Sequence, residues 1–184
     1  MTIDLLNPDT WRFINTFAPW LSAIGTLLAV TLSLHLARRD KTIRLEVSAG
    51  HRILVTQGKS GPRPEYLVIK IVNIGHREAQ ITNIGWKTGI LKKQYAVQTT
   101  ITDGMSNQIP VRLKDGEEAN YYIPLNTQTN WHEDFAKKML MPFPKAQMHF
   151  LRVQVLTSIG KTFEASVEKN LKTKLLQASV ARMK

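Results

Sequence analysis

Two tripeptides in this chain spell the end of a phosphate-binding loop, Gly58-Lys59-Ser60 and Gly160-Lys161-Thr162. In the full motif a glycine-rich turn cradles phosphate with backbone N–H groups, a lysine reaches the terminal phosphates and a hydroxyl holds Mg2+. That geometry needs a further glycine five residues earlier, and Ile53 and Val155 stand there instead. Both tripeptides also fall between strand-like stretches, without a following helix whose N-terminus would hold the anion. The histidines His35, His51, His76, His132 and His149 show no HExxH or other paired metal spacing, and the chain has no cysteine. Thiolate, iron–sulfur and disulfide chemistry are thereby removed, and no structural zinc is indicated. His132-Glu133-Asp134 falls in the first turn of an expected helix, where acids belong for the helix dipole alone. No nucleophile stands beside a base that would activate it. The sequence therefore nominates no catalytic residue, no cofactor site and no metal site, and the chain is expected not to be an enzyme.

The element around which the chain is organised is a run without charge, Phe17 to Ala37 (FAPWLSAIGTLLAVTLSLHLA). As a helix, Ala18 to Ala37 would span about 30 Å, the thickness of a hydrocarbon core. The run is therefore read as a transmembrane anchor. Before it stand Asp4 and Asp9 against Arg12, and after it Arg38, Arg39, Lys41 and Arg44. Positive charge stays in the cytoplasm, which places the N-terminus outside and the C-terminal domain inside, at the inner membrane. Trp11 and Trp20 suit the opposite headgroup layer. Pro19 is expected in the first turn, where a missing N–H costs least; a helix starting near Thr10 would hold it internally. A cleaved signal peptide would need a basic start and a small-x-small site, and a core helix would show a polar face; neither is present.

Within the span Gly25, Ala29, Ser33 and Ala37 recur every fourth residue, with Ala18, Ser22 and Thr26 in a second row. Small residues four apart let two helix backbones approach closely, so a helix-packing face and a helix partner, self or other, are expected here. His35 is read as an interfacial imidazole near the cytoplasmic end.

Lys and Arg number 25 and Asp and Glu 14 in the 184 residues, a formal charge of +11. That excess favours an anionic partner, and beside an anchor the anionic lipid headgroup is the nearest one. Nucleic acid is disfavoured, because no recognition-helix motif or run of aromatics interleaved with basic residues occurs. The expected lipid contacts are Arg38, Arg39, Lys41 and Arg44, together with Lys169, Lys172, Lys174, Arg182 and Lys184 of a C-terminal amphipathic helix carrying Val167, Leu171, Leu175 and Ala178 on one side.

Between these basic segments the hydrophobic period is two. Ile43, Leu45, Val47 and Ala49 alternate with polar residues, in a strand bulged or broken near Gly50. Tyr66–Val72 and Ala79–Thr88 read as adjacent strands about a turn at Asn73–Glu78. Tyr95 to Ile101, Ile109 to Leu113 and Ala119 to Leu125 alternate between Asp103-Gly104 and Asp115-Gly116 turns. Two last strands, about Met148–Thr157 and Lys161–Val167, meet at Ser158-Ile159-Gly160. One inserted helix is expected from Asn130, with Glu133 in the capping-box position, Trp131, Phe135 and Met139 along one side, and Pro142 and Pro144 ending it.

Three stretches, VNIGHREAQITNIGW, KDGEEANYYIPL and LRVQVLTSIGKTFEA, resemble one another. Together they resemble bacterial single-pass membrane proteins in which a basic juxtamembrane segment leads into an immunoglobulin-like sandwich. The resemblance covers most of residues 43–168 and implies a binding or docking module, with Asn73 and Gly75 serving a turn and Trp86 filling the space between sheets. The expected fold class is mainly β. Residues 1–16 form an extracytoplasmic tail, 17–37 a single transmembrane helix, 38–44 a basic segment, 45–168 an immunoglobulin-like antiparallel β-sandwich with one inserted helix, and 169–184 the C-terminal helix. The functional expectation is an adaptor recruiting or sensing a protein partner at the inner membrane face. The alternative is a membrane effector that oligomerises through its span and perturbs the bilayer.

Overall fold

The uncharged run forms one long helix. In the computed structural model, which describes residues 8–55, 63–89, 92–99, 104–125 and 131–181, α1 spans Pro8–Asp40, 33 residues. Within it Asn15–Arg38 has a mean hydropathy of 1.7, and the residues of this stretch are exposed. It is the one helix among the described residues long and apolar enough to cross a membrane. The helix starts well before Phe17, so Pro19 lies in its interior and not in its first turn. Pro8 begins the helix, where the absent N–H would be unbonded anyway. Three hydroxyls bond carbonyls one turn back: Thr16 Oγ1 to Arg12 at 3.0 Å, Thr26 Oγ1 to Ser22 at 2.8 Å and Thr31 Oγ1 to Leu27 at 2.7 Å. Side chains satisfied in this way can face hydrocarbon without an orphaned donor.

The chain divides into two compact units, at Thr42 and Ile43. The second unit holds strands β1 Leu45–Ile53, β2 Glu65–Asn73, β3 Ala79–Thr88, β4 Gln94–Val97, β5 Val111–Leu113, β6 Glu118–Pro124, β7 Arg152–Thr157 and β8 Thr162–Ser166. They form two antiparallel sheets, one ordered β1-β2-β6 and the other β4-β3-β7-β8, with β5 also paired to β3. Helices α2 Trp131–Phe135, α3 Pro144–Phe150 and α4 Lys169–Ala181 complete the unit, and α2 runs on into a π-helical turn, Ala136–Leu140. The chain thus combines an N-terminal apolar helix with antiparallel sheets and packed helices.

Alternation sets which side chains turn inward. Leu67, Ile69 and Ile71 of β2, Ala119, Tyr121 and Ile123 of β6, and Val153 and Val155 of β7 are buried in one core that includes Ile81, Ile84 and Trp86 of β3. Strand β3 keeps Ile84 and Trp86 inward because its pairing with β7 shifts between Ile81 and Asn83. Such an irregularity changes which residues of a strand face the core, and the Asn83 side chain accepts a bond from the Ile84 N–H at 2.8 Å. Tyr121 is fully buried, its hydroxyl has no partner among the described residues, and burial pushes its pKa up to about 12.

Several expectations about the elements are corrected. Strands β2 and β3 are not sheet neighbours; they belong to different sheets. The intervening corner is held by Asn73, whose buried amide donates to the carbonyls of Arg77 and Leu113, each at 2.9 Å, and whose Oδ1 accepts from the Gly75 N–H at 3.1 Å. Strand β1 has no bulge at Gly50, where the register with β2 is unbroken. A Cβ there would lie 2.3 Å from Glu168 Oε2, so a larger residue would have to push aside the Glu168 and Arg52 side-chain ends. The single inserted helix is two short ones, since Pro144 starts α3 as well as following the end of the first. Met148 to Phe150 consequently belong to α3, and β7 begins at Arg152. Strand β4 ends at Val97, short of Ile101, which together with Asp103 and Asn130, the cap expected from the sequence, lies outside the described residues.

Candidate functional site: an open strand edge beside an aromatic pocket

A sheet edge presents unpaired N–H and C=O groups, so each edge must be closed or used. The outer edge of β1 is closed by the approach to α4. Glu168 N–H donates to the Ala49 carbonyl at 2.9 Å, the Asn170 amide donates to the His51 carbonyl at 2.9 Å, and Asn170 Oδ1 accepts from the His51 N–H at 3.3 Å. Ion pairs fasten the same seam. Arg52 grips Glu168 through two bonds of 2.7 Å, and Glu65 receives both His51 Nε2, at 3.1 Å, and Lys174 Nζ. These bonds hold the Glu168 and Glu65 carboxyls below their usual range, Arg52 acting chiefly on the first and Lys174 on the second. The outer edge of β6 is closed by the 106–107 segment. Asn107 exchanges bonds with the Asn120 backbone at 2.7 and 3.0 Å, and Ser106 Oγ accepts from Tyr122 N–H at 2.9 Å. In the other sheet β8 packs beside β1.

The outer edge of β4, like that of β8 at the other end of the sheet, has no strand partner among the described residues. Tyr95 and Val97 on it are 62% and 70% exposed. Strand β4 is drawn tightly onto β3, because Gly85 lacks the Cβ that would meet the Ala96 carbonyl oxygen at 2.7 Å. Where β4 ends, a pocket of about 370 Å3 opens between it and α2. Its wall is a ring cluster from two elements: Trp86 lies 5.9 Å from Trp131 and 5.1 Å, edge-on, from Phe135, and Trp131 stacks on Phe135 at 4.7 Å. Such ring pairs fix one another's orientation. The Trp86 indole N–H donates to Gln98 Oε1 at 2.9 Å, which satisfies the one polar atom of a buried side chain. Asp134 and Lys138, one helical turn apart, also line the pocket. The π-helical turn after α2 keeps Ala136, Met139 and Leu140 buried together, and so anchors this wall. The arrangement can accept an apolar or aromatic side chain and pair a backbone. Among the described residues that line it, no nucleophile stands beside a base.

The residues singled out from the sequence are placed as follows. Gly25, Ala29, Ser33, Ala37, Ser22 and Thr26 are exposed along α1. Arg38 and Arg39 lie in its last turns, and Lys41 and Arg44 follow in the segment leading to β1. Leu171, Leu175 and Ala178 are buried, so α4 packs its apolar side on the core. Lys169 is exposed on it, Lys172 Nζ lies 3.4 Å from Ser166 Oγ, and Lys174 is committed to Glu65. Arg182 and Lys184 lie outside the described residues, as does the Gly58-Lys59-Ser60 tripeptide. Gly160-Lys161-Thr162 ends the β7–β8 turn and begins β8, with Gly160 at φ 76° and Lys161 Nζ donating to the Ile43 carbonyl at 3.1 Å. Sequence reasoning did not find the β4 pocket, although Trp86 and the Trp131–Phe135 spacing were its visible parts.

No family model matches the chain, and no curated protein matches it. Among solved structures, the chain is similar to a crystal structure from Bordetella pertussis assigned as ApaA, at 16% identity over 70% of this chain and 91% of that one, with a TM-score of 0.32. It is also similar to an X-ray structure of the structural-genomics target SoR45, at 14% identity over 70% of this chain and 84% of that one, with a TM-score of 0.28. Likenesses of that strength assign neither a fold family nor an activity.

Proposed function

We propose that this chain is a membrane-anchored adaptor: α1 crosses the inner membrane with its N-terminus outside, and a cytoplasmic immunoglobulin-like sandwich recruits a protein partner through the β4 edge. The observation that carries the reading is the open β4 edge next to a pocket walled by three aromatic rings. Strand addition to a free edge, with a neighbouring pocket for one side chain, is a recurrent way for a domain to hold an extended segment. The immunoglobulin-like part is supported by the strand orders. Read as A-B-E and C′-C-F-G, the orders β1-β2-β6 and β4-β3-β7-β8 are compatible with that fold, with β5 as an addition on β3, and Trp86 stands on the strand that would carry its core tryptophan. The anchor is supported by the apolar stretch and by Arg38, Arg39 and Lys41 behind it.

A photoreactive side chain at Val97 of the full-length protein in its own membranes is expected to give discrete adducts with another polypeptide, which the same probe at Ile159 in the β7–β8 turn does not give. Trp131→Ala should lower the yield at least roughly tenfold, the effect of removing an aromatic anchor. Equal adducts at both positions, or a yield indifferent to Trp131, would remove the β4 edge as the recognition surface.

A further inference from the structure

A second surface lies between α3 and α4, apart from the β4 pocket. The turn entering α3 presents Phe143, 69% exposed, with Met141 and Pro142 before it and Pro144 after it. A cleft of about 340 Å3 separates Phe143 and Ala146 from Leu176 of α4. Large apolar side chains standing in solvent next to an apolar cleft mark an interaction surface. The charge in the sequence around it is mostly basic. Lys137, Lys138 and Lys145 are exposed and have no ion-pair partner among the described residues. From Ala136 to Phe163, and again from Lys169 to Lys184, the sequence has no Asp or Glu. The nearest acids in sequence, Glu133 and Asp134, belong to α2.

We infer that this surface docks on an anionic lipid bilayer, with Phe143 and Met141 entering the headgroup boundary and Lys137, Lys138 and Lys145 meeting lipid phosphates. An apolar tip bordered by lysines, with the nearest carboxylates in sequence, Glu133 and Asp134, one turn before Lys137 and Lys138, is complementary to a negative surface that also has an apolar interior. Chain continuity favours the same occupant. Only residues 41–44 separate α1 from β1, so an anchored α1 would hold the unit near lipid at high effective concentration. The inference takes its tether from the anchor reading above and its chemistry from the patch alone. It differs from the basic residues expected from the sequence, because Lys174 is already paired within the fold.

The test uses the full-length protein with Met141→Cys as its one cysteine, labelled with an environment-sensitive fluorophore and reconstituted into vesicles. Phosphatidylcholine vesicles are compared with phosphatidylcholine–phosphatidylglycerol vesicles. In the anionic vesicles the probe should shift to the blue and be quenched by lipid-borne spin labels, and added salt should reverse the shift. Glutamine at Lys137, Lys138 and Lys145 should lower the docked-to-undocked ratio about fivefold per residue. Phe143→Ser should lower it at least about tenfold. Because Phe143 is exposed, that variant keeps its core. A probe that emits alike in detergent and in both vesicles would overturn the inference. So would equal blue shifts in neutral and anionic vesicles, or a shift that rises with protein concentration and ignores the lipid quencher, which would assign the patch to a second copy. Flotation of the protein with both vesicle types reports on the anchor separately. A protein that fails to float with neutral vesicles yet turns blue on anionic ones would sink the anchor and keep the docking surface.

Discussion

Arginine at both Leu27 and Leu28 is expected to move the protein out of the membrane fraction. These residues lie near the middle of the Asn15–Arg38 stretch, where every side chain is exposed. A charge at the centre of a spanning helix costs about 3 kcal/mol, so two together cost about 6 kcal/mol. Among the described residues no second helix is long and apolar enough to span beside α1 and shelter them. The same change at Phe17 should do far less, because an arginine near a helix end extends toward the headgroups. Carbonate extraction and flotation of the three proteins give the measurement. Retention of the Leu27→Arg, Leu28→Arg protein in the membrane would mean that something other than α1 holds it there.

Trp86→Ala is expected to cost about 4 kcal/mol of the folded unit's stability, the usual cost of emptying a large aromatic site. The side chain is 1% exposed, contacts Trp131 and Phe135, and gives its N–H to Gln98. Its removal leaves a cavity and orphans a buried acceptor together, two losses that add. Against the roughly 5–15 kcal/mol typical of a domain, this is a large share. Urea unfolding of the full-length protein in mild detergent, followed by far-UV circular dichroism, reads the change. Trp86→Phe should recover most of it, since the ring packing returns and only the hydrogen bond is missing. A loss under about 1 kcal/mol would mean that β3 and α2 are held together by other residues.

Local pattern made α1 and most strands legible. An uncharged run of that length has few soluble uses, and alternation in β2, β6 and β7 maps directly onto one buried face. What escaped was decided by contacts between residues far apart in the chain. Nothing near Asn73 says that β2 and β3 part company; its amide does so only by reaching Leu113. Gly50 suggests a break in the strand, and only its continuous pairing with β2 shows that there is none. Pro144 was read as a stop although a proline starts a helix as readily as it follows one. The irregular register at Asn83 sets the inward facing of Ile84, which no alternation count would supply. The small-residue row on α1 was legible as a pattern, whereas the β4 pocket needs Trp86 and α2 brought together by the fold. The edge clamps at Asn170 and Asn107 follow the same rule, since a lone asparagine gives no sign of which backbone it will complete.

The proposed adaptor needs α1 as an anchor with the folded unit on the cytoplasmic side, and cysteine accessibility reads that geometry directly. Because the chain has no cysteine of its own, Thr2→Cys and Ile159→Cys each create a single thiol, the second on a turn that is 52% exposed. An impermeant maleimide applied to intact cells should label the first position and spare the second until the membrane is opened. Labelling at position 159 from outside, with position 2 protected, would contradict the topology and with it the recruitment of a cytoplasmic partner.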